Sequence, residues 1–382
     1  MASIPLLVVG DGPQEPTGLG RIARDLCGLI AKSDLGLDLV QVGGTIPPVW
    51  QDWRHLPLDP SNEDWGAEQV RQYWLSLWGD RPGILWVIWD PSRLFAYQDL
   101  QLPVQKWAYT AIDAVNIWGA IGGPAQEALR SFDRVLAYGR WASHAVRLLR
   151  QEAPYLPHGL NTSAYSQEVS AEEDAWVTRT LGPFLRSSSL LVGAVGTNQP
   201  RKDWGLYFWT LSELKKRGHR VYGWVHTDQL VKAWAIPQLV ADFSLQKQVT
   251  ITQDLTDRQL ALMYRACDVT IGMGLGEGFG YPLVESPAAG VPVVHGGSGG
   301  GAELLPRAEW RPPIREERLE SVYGLRRPVY RATDFANAVE EVLRWREAVG
   351  ERVVQAYCRG SVQHLEWSIL WPRWRSWIRQ GL

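Results

Sequence analysis

Lysine is scarce in this 382-residue chain: seven of its 39 basic residues are Lys and the rest are Arg. There are three methionines and three cysteines, against 21 tryptophans. Cys27, Cys267 and Cys358 lie far apart, which excludes a disulfide scaffold and a Cys-x-x-Cys metal site and predicts reduced thiols in a cytosol. No apolar run approaches the ~20 residues that span a bilayer. The longest, at 6–9 and 84–89, are short, so no contact with a membrane interior is expected. The opening residues lack a basic stretch followed by a long apolar one, so no secretory signal is expected and a cytoplasmic location follows. A net charge of −2 excludes indiscriminate nucleic-acid binding but not a local basic groove. The excess of Arg and Trp has two readings, codon usage in a GC-rich genome or a surface for sugar, phosphate or bases.

What is present is a globular α/β pattern. With 45% hydrophobic and 21% charged residues, the chain is too apolar for disorder and long enough for two cores. Apolar runs at 4–9, 37–42, 84–89, 104–109 and 134–137 alternate with amphipathic stretches such as 21–31 and 67–77. Continuous apolar strands separated by helices predict a parallel sheet covered on both faces. Pro157-His158-Gly159-Leu160-Asn161 reads as a strand end and turn, and the pattern restarts with strands at 190–195, 220–225, 248–251, 268–271 and 291–294. The expected organisation is a first Rossmann-like domain at 1–161, a linker at 162–189, a second Rossmann-like domain at 190–355 and a terminal helix at 356–382. That tail carries Trp367, Trp371, Trp374 and Trp377 on one helical face, with Pro372 as a kink. The stripe either packs on the protein's own surface or, with Arg373, Arg375 and Arg379, faces a membrane or DNA.

Open α/β sheets bind ligands at the carboxyl ends of their strands, so the chemistry is sought in the loops that follow them. After the first strand, Gly18-Leu19-Gly20 opens a helix, where glycines permit close backbone approach and a helix N-terminus favours an anion; the same pattern also serves as a plain turn. Asp38 lies inside the second strand rather than at its end, so a dinucleotide site is not expected. After the strand at 190–195, Asn198 precedes the adjacent Arg201 and Lys202, which suit a diphosphate. The strongest signal is the run from Gly274 to Glu285. Gly278 and Gly280 free successive N–H groups to converge on one site, and Pro282 suits the start of a helix. Glu277 is expected at the mouth, facing sugar hydroxyls. Glu285 is expected two turns into the helix, accepting from both ribose hydroxyls.

The pair Glu277 and Glu285 around Gly-Phe-Gly resembles the E-x7-E signature of retaining GT-B glycosyltransferases, family 4 in particular. The resemblance extends over nearly the whole chain, through Gly18 and Gly20, the turn at 158–161, the Asn198 to Lys202 loop, Gln253-Asp254-Leu255 and the glycine run at 296–301. It implies the GT-B architecture, two Rossmann-like domains facing across a cleft, and a nucleotide-sugar donor held by the second domain. It implies that Glu277 holds the donor sugar, that Gly278, Phe279 and Gly280 hold phosphate and sugar, and that Glu285 holds the ribose. Arg201 and Lys202 would meet the diphosphate, backbone near Leu255 would read the base, and Gly18, Gly20 and Asn198 are expected among the further donor contacts. The terminal helix of such enzymes crosses back onto the first domain. Many members place a His on the loop after the fourth strand of that domain; here residues 109–116 offer Asp113 in its place, with Asp90 as a second polar candidate.

The catalytic set expected is therefore Asp113, Glu277, Arg201 and Lys202. No Asp-x-Asp occurs, so transfer without a metal or other cofactor is expected, with UDP-glucose the default donor from family frequency. The acceptor has two readings: a small molecule, lipid or glycan, or a 5-hydroxymethylpyrimidine in DNA as in phage-type enzymes. Arg130, Arg134, Arg140, Arg147 and Arg150, with a second cluster at 311–331, support the latter only if they form a groove rather than solvated helix faces. A nucleotide-sugar epimerase and a non-catalytic sugar-binding protein share the fold and complete the alternatives.

Overall fold

The computed structural model describes residues 3–44, 52–59, 64–182 and 189–382. The chain divides into two compact units. The first comprises Met1–Gly159, Leu319–Arg326 and Ser368–Leu382; the second comprises Leu160–Arg318 and Arg327–Trp367. Of the stretch expected as a linker, 183–188 lie outside the described residues, and the remainder carries the helices Thr162–Ser166 and Ala171–Leu181.

The first unit is built on six strands: β1 (Ile4–Val9), β2 (Leu37–Val42), β3 (Arg54–Leu56), β4 (Gly83–Ile88), β5 (Val104–Thr110) and β6 (Arg134–Ala137). They run in the order β3-β2-β1-β4-β5-β6, and every described pairing is parallel. Both faces of the central strands are covered, so β1 and β4 are apolar along their length rather than alternating. The three-residue β3 was not expected; its Arg-His-Leu sequence has no strand period.

Tryptophans fill this core. Trp86 of β4 and Trp107 of β5 pack edge-on, with centroids 5.8 Å apart. Trp374 and Trp377 from the tail lie 6.1 and 5.6 Å from Trp86. The Trp374 indole N–H donates to the Pro157 carbonyl (3.0 Å). Arg134 lies over the Trp107 and Trp377 rings and donates to the Trp377 carbonyl (3.0 Å). Trp374 and Trp377 of the aromatic stripe are thus core elements of this unit, and Trp374 is fully buried. Replacing Trp374 by Ala is expected to destabilise the first unit by about 3–5 kcal/mol. Denaturant unfolding checks this; a loss below ~1 kcal/mol would be incompatible with a close-packed indole.

The expected single tail helix is broken. Helix Glu351–Val362 passes into a 3-10 turn at Gln363–Leu365, and the last helix, Trp367–Arg379, begins afresh and runs through Pro372. Tertiary contacts override the helical pattern at the break: the Glu366 carboxylate accepts from the Thr162 N–H (2.7 Å) and hydroxyl (2.5 Å).

The second unit holds β7 (Leu190–Val195), β8 (Val221–His226), β9 (Val249–Thr252), β10 (Val269–Gly272) and β11 (Val293–His295), in the order β11-β10-β7-β8-β9 and again parallel. A hairpin, β12 (Glu316–Glu320) with β13 (Leu325–Val329), was not foreseen. Its first strand is Glu-Glu-Arg-Leu-Glu, mostly exposed, and lacks the apolar alternation that signals a strand.

Candidate active site

The connection order of the second sheet reverses between β7 and β10, where an open parallel sheet leaves a crevice at its carboxyl edge. The loops leaving these strands are stitched together by backbone. The Asp203 N–H donates to the Met273 carbonyl (3.1 Å) and the Leu275 N–H to the Arg201 carbonyl (2.8 Å). Lys202 and Gly274 form an isolated bridge. The two charged segments singled out in the sequence therefore meet.

Glu277 is buried, not at a solvent-facing mouth. Its Oε1 is ion-paired with the Lys202 ammonium, itself buried, and its Oε2 lies 3.3 Å from Arg201 Nη1. The same Arg201 nitrogen donates to the Gly276 carbonyl (3.0 Å). Burial raises the Glu277 pKa, but the Lys202 and Arg201 charges outweigh it and hold the carboxyl at about 2. One carboxylate thus faces two cations beside the glycine loop. Gly280 adopts φ +94°, a left-handed conformation open to glycine, and so lets the loop turn into the next helix.

That helix, Pro282–Ala288, has only seven residues. Its macrodipole is correspondingly short. Glu285 sits in its first turn, not two turns in, because the loop through Gly280 delays the helix to Pro282. Glu285 is buried and held between two phenols: Tyr165 donates to Oε1 (3.0 Å) and Tyr264 to Oε2 (2.9 Å).

Asn198 is fully buried, and its amide is spent on the protein. It donates to the Gln229 and Trp234 carbonyls (2.9 and 2.8 Å) and accepts from the Trp234 N–H (2.9 Å). It positions the loop that carries Arg201 and Lys202. Phe279 is buried against Tyr281, with centroids 5.7 Å apart. Leu255 follows Asp254, whose φ is +52°, in the turn after β9.

His295, at the end of β11, is a residue the sequence reading missed. It is buried, and its Nδ1 accepts from the Gly297 N–H (2.9 Å), which leaves the proton on Nε2. Nε2 faces the Gly274 carbonyl without forming a well-aligned hydrogen bond. Burial drives its pKa down to about 4 against the pull of Glu277, so the ring is neutral near pH 7. A lone His with no partner at fixed spacing gives no sequence signal.

Gly18 and Gly20 belong to the first unit, at the start of helix Gly18–Ala31. The Gly20 N–H is taken by the Thr17 hydroxyl that caps the helix (2.9 Å). Asp90 and Asp113 also lie in the first unit, and both line one cavity of about 490 Å3 at the carboxyl ends of β4 and β5. Several arginines of the two suspected clusters serve the fold: Arg150 donates to the Leu129 carbonyl (2.7 Å), Arg134 caps Trp377, and Arg315 is paired with Asp334 (2.6 Å). Among the described residues, no group of three His, Cys, Asp or Glu is arranged to hold a metal ion, and no helix is long and apolar enough to cross a membrane.

Two Rossmann-like units, each built on a parallel sheet, give the chain the GT-B fold. Residues 235–348 match the family described as Glycosyl transferases group 1. The D-inositol 3-phosphate glycosyltransferase of Mycobacteroides abscessus is 29% identical over 180 residues, which is 47% of this chain and 36% of that relative's length. Sucrose-phosphate synthase from Thermosynechococcus elongatus superposes with a TM-score of 0.75 at 17% identity, covering 99% of this chain and 98% of that one. Anabaena HepE, solved in complex with UDP-glucose, gives a TM-score of 0.70 at 14% identity, covering 99% and 100%.

Proposed function

We propose that this chain transfers a hexose from a nucleoside diphosphate to an acceptor hydroxyl, with retention and without a metal ion. The carrying observation is the interlocked Lys202–Glu277–Arg201 cluster against the Gly278–Gly280 loop at the β7/β10 switch point. Cations fixed by a buried carboxylate need no reorganisation when the departing diphosphate gathers charge. In the reaction the C1–O bond to the diphosphate breaks, and the acceptor oxygen bonds to C1 from the same face. The acceptor proton passes to a diphosphate oxygen, and the nucleoside diphosphate leaves. Glu277 orients the sugar and the cations, Glu285 accepts from the ribose, and the backbone at Leu255 meets the base. Asp90 and Asp113 are read as acceptor-side residues of the first unit.

UDP-glucose is the first donor to test, since HepE of Anabaena is solved with it. Thermal unfolding across a panel of nucleotide-sugars is expected to single out one or two stabilisers. The best is then incubated alone and with glycosides, lipid-linked sugars and hydroxymethylated DNA, and the product's anomeric configuration is read by NMR. A 2-epimer formed without acceptor would replace this reading with epimerisation. Absence of stabilisation by any nucleoside diphosphate hexose would overturn it.

A further inference from the structure

The cavity of the first unit is chemically lopsided. Its polar lining includes Asp90, Asp113 and Ser92, its aromatic lining is Trp65, Phe95 and Tyr323, and among the described residues no Lys, Arg or His lines it. A volume of about 490 Å3 falls within the ~300–1,000 Å3 of small-molecule sites. We propose that this cavity binds an uncharged polyhydroxylated acceptor, a free sugar or polyol, and discriminates against its phosphorylated counterpart. The inference rests on the glycosyl-transfer reading above and names the acceptor class it left open.

The wall is built, not incidental. Trp65 has φ +51°, a strained conformation for a bulky residue, of the kind that persists where surrounding structure holds it for a ligand. Its carbonyl accepts from the buried Tyr97 hydroxyl (2.8 Å), and the Arg93 guanidinium lies 4.7 Å over its ring. Arg93 also lies 5.2 Å over Trp89 and 3.6 Å from the Asp11 carboxylate, so this nearby cation is engaged behind the wall. On another side, the hairpin tip is tied down: Arg326 N–H donates to the Val115 carbonyl (2.8 Å), and Asn116 bridges Leu325. Tyr323 of that tip lies so close to Gly123 that a Cβ there would fall 2.2 Å from its ring.

Phosphate recognition needs cationic forks or converging amides, and among the described residues no cationic side chain lines this cavity to meet a dianion. Sugar hydroxyls, by contrast, donate to carboxylates, while the C–H faces of the ring lie against aromatic rings.

The test is saturation-transfer NMR on the full chain with UDP saturating, so that a phosphate cannot report from the donor crevice. Probes are matched pairs: glucose and glucose 6-phosphate, fructose and fructose 6-phosphate, inositol and inositol 1-phosphate. At least one neutral member is expected to bind, with its phosphorylated partner at least about tenfold weaker. Trp65→Ala should abolish the neutral signal, and Asp90→Asn with Asp113→Asn should weaken it. Equal or tighter binding of a phosphorylated member overturns the proposal. So does absence of binding by every neutral member, or a neutral signal that survives Trp65→Ala. UDP binding, measured separately by calorimetry, reports on the donor reading and can fail independently.

Discussion

Lys202→Ala is expected to lower transfer by about 10²–10³-fold, chiefly in kcat, because it removes the cation proposed to meet the leaving diphosphate. The same substitution leaves the buried Glu277 carboxylate with Arg201 alone, at 3.3 Å. Breaking a buried pair from one side costs about 3–5 kcal/mol, so stability and activity fall together in this variant. The double variant Lys202→Met with Glu277→Gln separates the two effects. It removes both buried charges, and most of the lost stability should return, with a large coupling energy between the sites. Transfer should stay lost. If activity returned with stability, the cluster would be a structural staple and not part of the donor site.

The same cluster fixes an acid response. The Glu277 pKa is depressed in the folded chain to about 2, below its usual 4.5. Its contribution is therefore complete above the unfolded value and is lost as pH falls through the folded one, between roughly pH 5 and pH 2. Glu277→Gln should flatten that part of the stability profile, followed by unfolding at constant temperature.

Much of the fold was legible because its signals are local. β1, β2, β6 and β7 fall at the expected residues, since each is a short stretch made mostly of aliphatic residues. The strands that differ shift by a residue or two at the ends. β3 and the β12–β13 hairpin were not legible, for they are short or charged and take their pairing from neighbours rather than from a period. The site divides in the same way. Arg201, Lys202 and Glu277 stand out as charges beside glycine loops, yet nothing in the sequence tells that a lysine and a glutamate 75 positions apart share a buried ion pair. Tyr165 is separated from Glu285 by 120 positions and Tyr264 by 21, and neither phenol was singled out. The depth of Glu285 was misjudged because counting residues from the loop treats Gly278 and Gly280 as helix.

Glu285 should behave differently from Lys202 on substitution. In the proposed complex it accepts from the ribose, a group remote from the reacting carbon and equally bound in ground and transition states. Loss of such an interaction raises KM and leaves kcat nearly unchanged. A charge-assisted hydrogen bond contributes about 1.5–3 kcal/mol, so Glu285→Gln is expected to raise the donor KM by roughly 10–100-fold. Gln keeps the volume and an acceptor oxygen, so the Tyr165 and Tyr264 hydroxyls, now 3.0 and 2.9 Å from the carboxylate, retain partial satisfaction. Glu285→Ala removes both acceptors at once and should destabilise the second unit as well, which makes Gln the sharper probe. Tyr165→Phe supplies the control: it deletes one phenol and leaves the carboxylate charge in place, so the donor KM should move far less than in Glu285→Gln. Steady-state kinetics with the nucleotide-sugar as the varied substrate read this out. A Glu285→Gln enzyme with unchanged KM and depressed kcat would move this residue from nucleotide binding to the chemical step.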